Sequence, residues 1–328
     1  MKGELSIVII GRNEERCIAK CITAAQVAAS EIGGAEVIFV DSASTDRTAE
    51  IVSSMGVRVM SLDPSRRLSP SAGRFVGSKH AMGEFVLFID ADTLVYKGFL
   101  RRAIEHFRAE PQVAGVNGRI DDLNENGEQL DGVEDRYDDV INVKWLRGPC
   151  CFYRRSALME CGSFDPQLAM EEEAELGLRL VHAGWKLNIL PVPMACHTRA
   201  YHCQTFTSLL STFKRDVVSG RLGEITRTIA VAHRAGNGFA FCWLRLRTTI
   251  LMVAWFALLG ASLVLPAYGT VVCLLLAVIG VFGIYLKKQS IRQTLVFIPN
   301  KLLCLLDVLA GLPYLVGKRR RLRSNATV

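Results

Sequence analysis

The sequence lacks the features of a secreted protein stabilised by disulfides. Its ten cysteines are scattered along the chain, with Cys150 and Cys151 adjacent, and they show no spacing typical of a disulfide framework. The N-terminus runs directly into an apolar stretch, without the basic, apolar and small-residue segments of a signal peptide. We therefore expect the main domain to face the cytosol with its thiols reduced.

An excess of positive charge is absent from most of the chain. Residues 287–328 hold nine Lys and Arg residues against one acid, Asp307, a balance of +8. The net charge of +7 therefore leaves −1 for residues 1–286. A main domain without a basic surplus does not favour nucleic-acid binding, whereas a basic C-terminal segment favours contact with a membrane surface. We expect a membrane partner and no nucleic acid.

Charge of either sign is absent between Thr248 and Leu286, a run of 39 residues. As one helix this run would be about 58 Å long, roughly twice the thickness of the hydrocarbon core of a bilayer. Pro266 and Gly269 interrupt the run near its middle. The pattern therefore predicts a transmembrane hairpin over residues 248–286.

The next apolar stretch, residues 294–316, includes Lys301 and Asp307, which are costly to place in lipid. We therefore expect a re-entrant or interfacial segment there rather than a third span. The basic clusters before the hairpin, after it and at the end of the chain would share one side, which the positive-inside rule places in the cytoplasm. We thus predict a multi-pass protein of the cell membrane, with residues 236–328 as its membrane region and residues 1–235 as a cytoplasmic domain.

Short apolar runs alternate with helical segments in the first domain. The predicted strands cover residues 5–10, 37–40, 57–60, 85–89, 113–117, 148–153 and 187–190. This alternation predicts an α/β fold with a mostly parallel central sheet covered by helices. The acidic stretch 121–144 is predicted to be a surface excursion that could close over the site. An apolar helical face within residues 205–219 could pack on the domain or lie in a membrane interface.

Two acids, Asp90 and Asp92, directly follow the fully apolar strand at residues 85–89. Ligands of open α/β sheets bind at the carboxyl ends of strands, and carboxylates there can hold a divalent cation together with substrate phosphates. An ordinary turn at the strand end is the alternative, because Asp is common in turns. Asp41 also ends a strand, and it would face the same crevice if the two strands lie near each other.

Four patches of the sequence resemble family 2 glycosyltransferases, which have the GT-A nucleotide-sugar-binding fold, a Rossmann-like domain. The patches are Ile9–Glu15, Val40–Asp46, Asp90–Asp92, and Phe164–Asp165 followed by Glu172–Arg179, and they occur in the family's order. The last patch resembles the segment that carries the catalytic base, although this chain has Glu173 where the family has Asp. The Q-x-x-R-W motif of processive polysaccharide synthases is absent, which argues against a cellulose- or chitin-type polymerase.

The resemblance implies a nucleotide-sugar donor, with UDP or GDP as the nucleotide. The residues that it assigns to donor binding are Asn13, Glu14, Asp41, Arg74, Asp90 and Arg199, and those that it assigns to Mg²⁺ or Mn²⁺ are Asp90, Asp92 and His197. Glu173 is the implied base, which takes a proton from an acceptor hydroxyl. Glu172 is its alternative if the motif is shifted by one residue.

Several of these residues also have ordinary explanations. Asp41 could be a loop residue beside the next helix, for which Asp46 is the better cap. Arg74 could lie on a helix surface instead of touching the donor. His197 could be a core or surface histidine. The acids around Glu173 could simply stabilise the N-terminus of a helix through its dipole.

Together these observations predict a metal-dependent, inverting glycosyltransferase that acts on a membrane-associated, lipid-linked or surface-glycan acceptor. A polyprenyl-phosphate glycosyltransferase is an alternative, because an ionised phosphate acceptor needs little help from a base. A nucleotidyltransferase would require a Gly-rich, basic phosphate loop after the first strand, and Gly11–Glu14 is not one. A non-catalytic membrane scaffold would not need the intact acids Asp41, Asp90, Asp92 and Glu173.

Overall fold

The computed structural model describes residues 3–123, 138–198, 223–262 and 301–311, together with Glu128, Leu210, Ser211, Lys214, Val217, Val271 and Pro299. The chain divides into two compact units, Met1–Tyr201 and His202–Val328. The boundary that we expected from the sequence, between residues 235 and 236, falls inside the second of these units.

The described part of the first unit is built from nine strands and six helices. The strands are β1 (Leu5–Gly11), β2 (Glu36–Asp41), β3 (Arg58–Ser61), β4 (Phe85–Asp90), β5 (Thr93–Val95), β6 (Val113–Leu123), β7 (Ile141–Val143), β8 (Cys150–Arg154) and β9 (Lys186–Thr198). The helices are α1 (Ile18–Ser30), α2 (Thr48–Ser54), α3 (Pro70–His80), α4 (Phe99–Ala109), α5 (Arg155–Glu160) and α6 (Glu172–His182).

All nine strands belong to one mixed sheet in the order β3-β2-β1-β4-β8-β6-β9-β5, with β7 also paired to β9. Strands β1, β2, β3, β4, β6 and β9 run in one direction, and β5, β7 and β8 run in the other. The prediction of an α/β fold with a mostly parallel sheet is therefore confirmed. The strand order reverses between β1 and β4, and ligands of such sheets bind in the crevice at this reversal.

The central strand β4 is buried on both of its faces. All five residues from Phe85 to Ile89 have no exposed surface. The odd-numbered residues of this run pack into one apolar cluster, and Val86 and Phe88 pack into the cluster on the opposite face. Double burial explains why the strand has an unbroken apolar sequence. The acids that follow it come at the point where the chain leaves the core.

Strands β6 and β9 are longer than the sequence predicted. Strand β9 contains Pro191 and Pro193, and β6 contains Gly118, which are residues that weaken or interrupt strands. The two strands are nevertheless parallel neighbours, and their pairing continues through register shifts near the glycine. One of the last pairs sets Asp122 opposite His197. The extension therefore carries both side chains to the carboxyl edge of the sheet.

Part of the acidic stretch 121–144 belongs to the sheet and not to a surface excursion. Residues 121–123 end β6, and Ile141–Val143 form β7 beside β9. Between these strands only Glu128 and residues 138–140 are described. The proposed closing segment thus lies largely outside the described residues.

The second unit contains helices α7 (Glu224–Arg234) and α8 (Gly238–Ser262), and residues 301–311 are also helical. The carboxylate of Asp307 accepts hydrogen bonds from the backbone N–H groups of Gly223 (2.7 Å) and Ile225 (3.2 Å). Asp307 therefore caps the start of α7, because the first N–H groups of a helix have no partner within it.

Among the described residues, no helix has both the length and the apolar character needed to cross a membrane. The predicted hairpin, residues 248–286, enters the described structure only through the end of α8 and Val271. The predicted re-entrant segment is described at Pro299 and residues 301–311, and residues 205–219 at four positions. The predicted hairpin and residues 205–219 therefore lie largely outside the described residues, and the predicted re-entrant segment lies partly outside them.

Candidate active site

The loops after β1 and β2 are tied together by hydrogen bonds at the carboxyl edge of the sheet. The Asn13 Oδ1 atom accepts from the Thr45 N–H (2.8 Å), and the Asn13 N–H donates to Ser44 Oγ (2.9 Å). The backbone N–H of Glu14 donates to Thr48 Oγ1 (2.7 Å). Asn13 and Glu14 were predicted to bind the donor, and the structure shows that they also fix the shape of this double loop.

Asp41 and Asp90 lie on the same crevice, as expected if their strands are close. Strand β1 separates them, with Gly11 paired to Asp41 and Ile10 paired to Asp90. Two strand spacings correspond to about 10 Å. Asp41 is buried and accepts from the Ser44 N–H (3.1 Å), which is a loop contact. The N-cap residue of α2 is Arg47 and not Asp46, although Asp46 Oδ1 accepts from the N–H of Thr48, the first residue of the helix, at 2.9 Å.

His197 lies beside Asp92, on the far side of the crevice. The Nε2 atom of His197 is 3.5 Å from Asp92 Oδ1. The following residue, Thr198, fixes the backbone of Asp92, because its N–H (2.9 Å) and its hydroxyl (2.6 Å) both donate to the Asp92 carbonyl. The end of β9 thus holds the histidine and the acid in register, and His197 is not a surface or core residue without polar neighbours.

A second acid contacts the other nitrogen of the histidine. Asp122 Oδ1 lies 3.1 Å from His197 Nδ1, and the Asp122 side chain is only 1% exposed. Arg147 Nη2 donates to the second carboxylate oxygen of Asp122. Burial acts to lower the pKa of His197, but the hydrogen bonds to Asp122 and Asp92 raise it to about 9.

Arg74 joins the end of β4 to the start of α6. Its guanidinium is 2% exposed, and its Nη2 donates to Asp90 Oδ1 and to the Gly148 carbonyl, both at 2.8 Å. Its Nη1 lies 2.6 Å from Glu172 Oε1 and 3.0 Å from Glu173 Oε1. Arg74 therefore does not lie on a helix surface, and its predicted contact with the donor stays a prediction. Arg74 is buried beneath the site, where it links three carboxylates.

These buried charges shift one another's protonation. Burial raises the pKa of Asp90 to about 7, and the lowering effect of Arg74 opposes this shift. Burial likewise raises the pKa of Glu172, with the neighbouring Glu173 adding to the effect. Burial acts to lower the pKa of Arg74, but the three carboxylates raise it above its ordinary value. The guanidinium therefore stays charged while it holds the acids in place.

Glu173 lies in the first turn of α6, where acids interact favourably with the helix dipole. Its side chain is 13% exposed, compared with 6% for Glu172, so Glu173 is the more accessible of the two candidate bases. Gly148 packs against its carboxylate, since a Cβ atom added at this glycine would lie 2.5 Å from Glu173 Oε1. The residue before the helix, Glu171, has a left-handed backbone with φ 62°, which is uncommon for a non-glycine residue and is often found at functional sites.

The side chains at the crevice fit a divalent cation as a pair of ligands. Within the described residues, no group of three or more His, Cys, Asp or Glu side chains is arranged around a common metal position. However, two ligands at about 2.1 Å from an octahedral ion are about 3.0 Å apart. Asp92 Oδ1 and His197 Nε2 are 3.5 Å apart, so a small side-chain movement would bring them to that spacing. Mg²⁺ commonly takes one or two protein ligands and completes its shell with water and substrate phosphates. Asp92 and His197 suit such a site, whereas one oxygen of Asp90 is taken by Arg74.

The structure brings together most of the residues predicted for the site and adds others. Arg199, predicted to contact the diphosphate, lies outside the described residues. Asp122, Arg147 and Gly148 were not predicted. Asp122 lies near the end of β6, as Asp90 lies at the end of β4, so the position of an acid at a strand end was a sequence signal for Asp122. No sequence signal distinguished Arg147 or Gly148.

The fold and the arrangement of acids at the strand ends define a nucleotide-sugar transferase class of α/β domain. The sequence model described as "Glycosyl transferase family 2" matches residues 6–162, and that described as "Glycosyl transferase family group 2" matches residues 85–286. The second match covers more than half of the chain. The chain therefore belongs to glycosyl transferase family group 2.

Two curated relatives and one solved structure illustrate the similarity. The chain is 24% identical over 209 residues to the pre-mycofactocin glycosyltransferase of Mycobacterium tuberculosis and 28% identical over 208 residues to the beta-monoglucosyldiacylglycerol synthase of Synechocystis. These matches cover 59% and 58% of this chain but only 42% and 43% of the relatives. The mannosyltransferase PcManGT from Pyrobaculum calidifontis, solved with GDP-Man and Mn²⁺, shares the fold with a TM-score of 0.61 and 17% identity, over 95% of this chain and 88% of that one.

Proposed function

We propose that the chain is a metal-dependent, inverting glycosyltransferase that moves a sugar from a UDP- or GDP-linked donor to a hydroxyl of a membrane-associated acceptor. The observation that carries this proposal is the buried Arg74 guanidinium. It connects Asp90, at the donor crevice, with Glu173, the base candidate, through contacts of 2.8 and 3.0 Å. Arg74 would thus hold the acid on the donor side and the candidate base at fixed positions relative to each other.

In this mechanism the nucleotide lies in the crevice between β1 and β4, beside Asp41. Asp92 and His197, with Asp90 next to them, would hold Mg²⁺ or Mn²⁺ against the donor diphosphate. A bound cation of this kind supplies Lewis-acid stabilisation of the negative charge on the departing nucleoside diphosphate.

Glu173 then acts on the acceptor. Its carboxylate accepts the proton of the acceptor hydroxyl while the acceptor oxygen forms a bond to the anomeric carbon of the sugar. The bond from that carbon to the diphosphate oxygen breaks on the opposite face, so the configuration inverts. Glu172 is less exposed and is bonded to Arg74 at 2.6 Å, which favours a supporting role for it.

The relatives support the class of donor and acceptor. The archaeal mannosyltransferase of the same fold was solved with a nucleotide sugar and Mn²⁺. The name of the Synechocystis relative indicates a diacylglycerol lipid as its glucosylated product. A lipid-linked or surface-glycan acceptor is consistent with the uncharged run and the basic C-terminal segment of this chain.

We further propose that the protein is a multi-pass protein of the cell membrane, with residues 248–286 as a hairpin and the catalytic domain in the cytoplasm. The 39 uncharged residues and the basic residues on both sides of them support this topology. A reporter fused after Val328 should then read cytoplasmic. A clear external signal would refute this arrangement.

Donor turnover by the purified full-length chain tests the proposed activity. A panel of UDP-, GDP- and dTDP-sugars is incubated with Mn²⁺, and the released products are identified by chromatography. We expect one donor to yield nucleoside diphosphate, and we expect EDTA to suppress that release. Release of pyrophosphate would instead show a nucleotidyltransferase, and no release from any donor would contradict the proposal.

A further inference from the structure

Asp122 is the most deeply buried acid near the crevice whose role the proposed mechanism leaves open. Its side chain is 1% exposed, and it sits directly opposite His197 in the paired strands β6 and β9. One carboxylate oxygen faces His197 Nδ1 at 3.1 Å, and the other accepts from Arg147. The remaining ring nitrogen of His197, Nε2, faces Asp92.

We propose that Asp122 is a positioning residue that holds His197 as the tautomer protonated at Nδ1, so that the lone pair of Nε2 is presented to a divalent cation beside Asp92. The proposal rests on the metal dependence of the proposed function. A ligand histidine commonly donates its second ring N–H to a carboxylate, which fixes both the tautomer and the orientation of the ring. The three residues Asp122, His197 and Asp92 have this arrangement.

Arg147 determines how the Asp122 carboxylate takes part in hydrogen bonds. A guanidinium has only donors, so the oxygen facing Arg147 must act as an acceptor. The other carboxylate oxygen lies 3.1 Å from His197 Nδ1 and can accept from it. Arg147 Nη1 additionally reaches the Ile120 carbonyl at 3.4 Å, which anchors the guanidinium to the same strand. When a divalent cation displaces one ring proton of His197, the geometry thus favours retention of the proton on Nδ1, which faces Asp122.

Replacing the acid by its amide should reverse that tautomer. In Asp122→Asn the amide oxygen must turn to Arg147, because the NH₂ group cannot accept from a guanidinium. The NH₂ group then faces His197 Nδ1, which can accept only when the proton sits on Nε2. A protonated Nε2 cannot bind a metal ion. The substitution keeps the size of the side chain and acts through hydrogen bonding.

Mn²⁺ binding measures this effect without turnover. Free Mn²⁺ is followed by electron paramagnetic resonance during titration of the full-length chain, alone and with UDP or GDP. We expect Asp122→Asn to weaken Mn²⁺ binding about 10- to 100-fold, the usual effect of losing such a hydrogen-bond partner. Asp121→Asn is the matched control, because Asp121 contacts Tyr96 and Arg119 and not His197. It should leave the dissociation constant unchanged within about twofold.

A double substitution separates positioning from general structural support. If Asp122 acts through His197, Asp122→Asn should weaken Mn²⁺ binding no further in a His197→Gln background. An additional loss in that background would contradict the proposal. Equal Mn²⁺ binding by the wild type and Asp122→Asn would also overturn it while leaving the proposed function intact. Absence of Mn²⁺ binding by the wild type with either nucleotide would refute both.

The tautomer can also be read in the wild-type protein, which removes any dependence on the folding of a variant. Nitrogen-15 chemical shifts of the histidine rings are recorded with Mg²⁺ and UDP or GDP, and His197 is identified by the signal missing in His197→Gln. We expect Nδ1 to be protonated and Nε2 to be unprotonated. A proton on Nε2 under these conditions would overturn the proposal.

Discussion

Gly148 offers a direct test of whether the position of the Glu173 carboxylate controls sugar transfer. The space for a Cβ atom at Gly148 is occupied by Glu173, whose Oε1 and Cδ would lie 2.5 and 2.9 Å from it. The Gly148→Ala substitution adds only this one carbon. The Gly148 carbonyl, which accepts from Arg74, is part of the backbone and remains in place.

The size of the effect follows from the distance. Ordinary van der Waals contact begins near 3.4 Å, so the Glu173 oxygen must move by about 0.9 Å to relieve the 2.5 Å contact. A misplacement of about 1 Å in a reacting group can lower the rate about 100-fold. Stability should change little, by about 1 kcal/mol, because the group that must move is the end of a flexible side chain.

Single-turnover transfer from the donor identified in the turnover panel measures the prediction. Gly148→Ala should slow transfer about 100-fold while Mn²⁺ affinity and the melting temperature stay near those of the wild type. Gly3→Ala is the matched control, since its nearest neighbour, the Leu5 carbonyl oxygen, would lie at an ordinary 3.6 Å. Introducing Gly148→Ala into Glu173→Gln should cause no further loss, because the base is already absent.

Two results would refute this reasoning. Normal transfer by Gly148→Ala would show that the position of the Glu173 carboxylate does not limit the reaction. An equal loss of transfer and of Mn²⁺ binding would show that the added methyl group disturbs the donor side through Arg74 instead of the base.

Three further predictions concern single residues of the site. Glu173→Gln should lower transfer about 10²- to 10⁴-fold in single-turnover assays, with little change in nucleotide affinity. Glu171→Gln, outside the helix, should lower transfer far less. Near-normal transfer by both variants would favour an acceptor that arrives ionised, such as a polyprenyl phosphate. Asp92→Ala should abolish Mn²⁺-dependent transfer at an unchanged melting temperature, and unchanged turnover in both this variant and EDTA would exclude the metal-dependent mechanism. Arg74→Met should lower the free energy of unfolding in urea by about 3–5 kcal/mol, because it leaves buried carboxylates without their cation. A decrease in this free energy below about 1 kcal/mol would show that these acids are not ionised together.

The parts of the fold set by local pattern could be predicted from the sequence. The apolar run Phe85–Ile89 predicts a strand that is buried on both faces, because an unbroken apolar sequence is typical of such strands. In the structure every one of its side chains lies in a core cluster. The acids that follow this run mark the point where the chain leaves the core, at the carboxyl edge of the sheet. The extension of β9 past Pro191 and Pro193 was not predicted, because its pairing with β6 compensates for residues that disfavour strands locally.

Long-range pairing determined the part of the site that sequence reasoning missed. An arginine in an amphipathic helix reads as a surface residue, and Arg74 is buried only because partners 16 and 98 residues away converge on it. Asp122 and His197 are likewise 75 residues apart and meet through the register of β6 and β9. No local pattern encodes which of two distant strands pair, so these contacts required the structure.

The charges of the crevice explain why the acids that contact Arg74 and the proposed metal site at Asp92 should depend on each other. Among the described residues, Asp90, Glu172 and Glu173 all contact the single charge of Arg74. In the proposed mechanism, a donor diphosphate would bring further negative charge to the same edge. A divalent cation held by Asp92 would supply positive charge to that diphosphate. In the proposed mechanism Arg74 would balance the charge of the acids and the cation that of the substrate, so loss of either should prevent transfer by a different route.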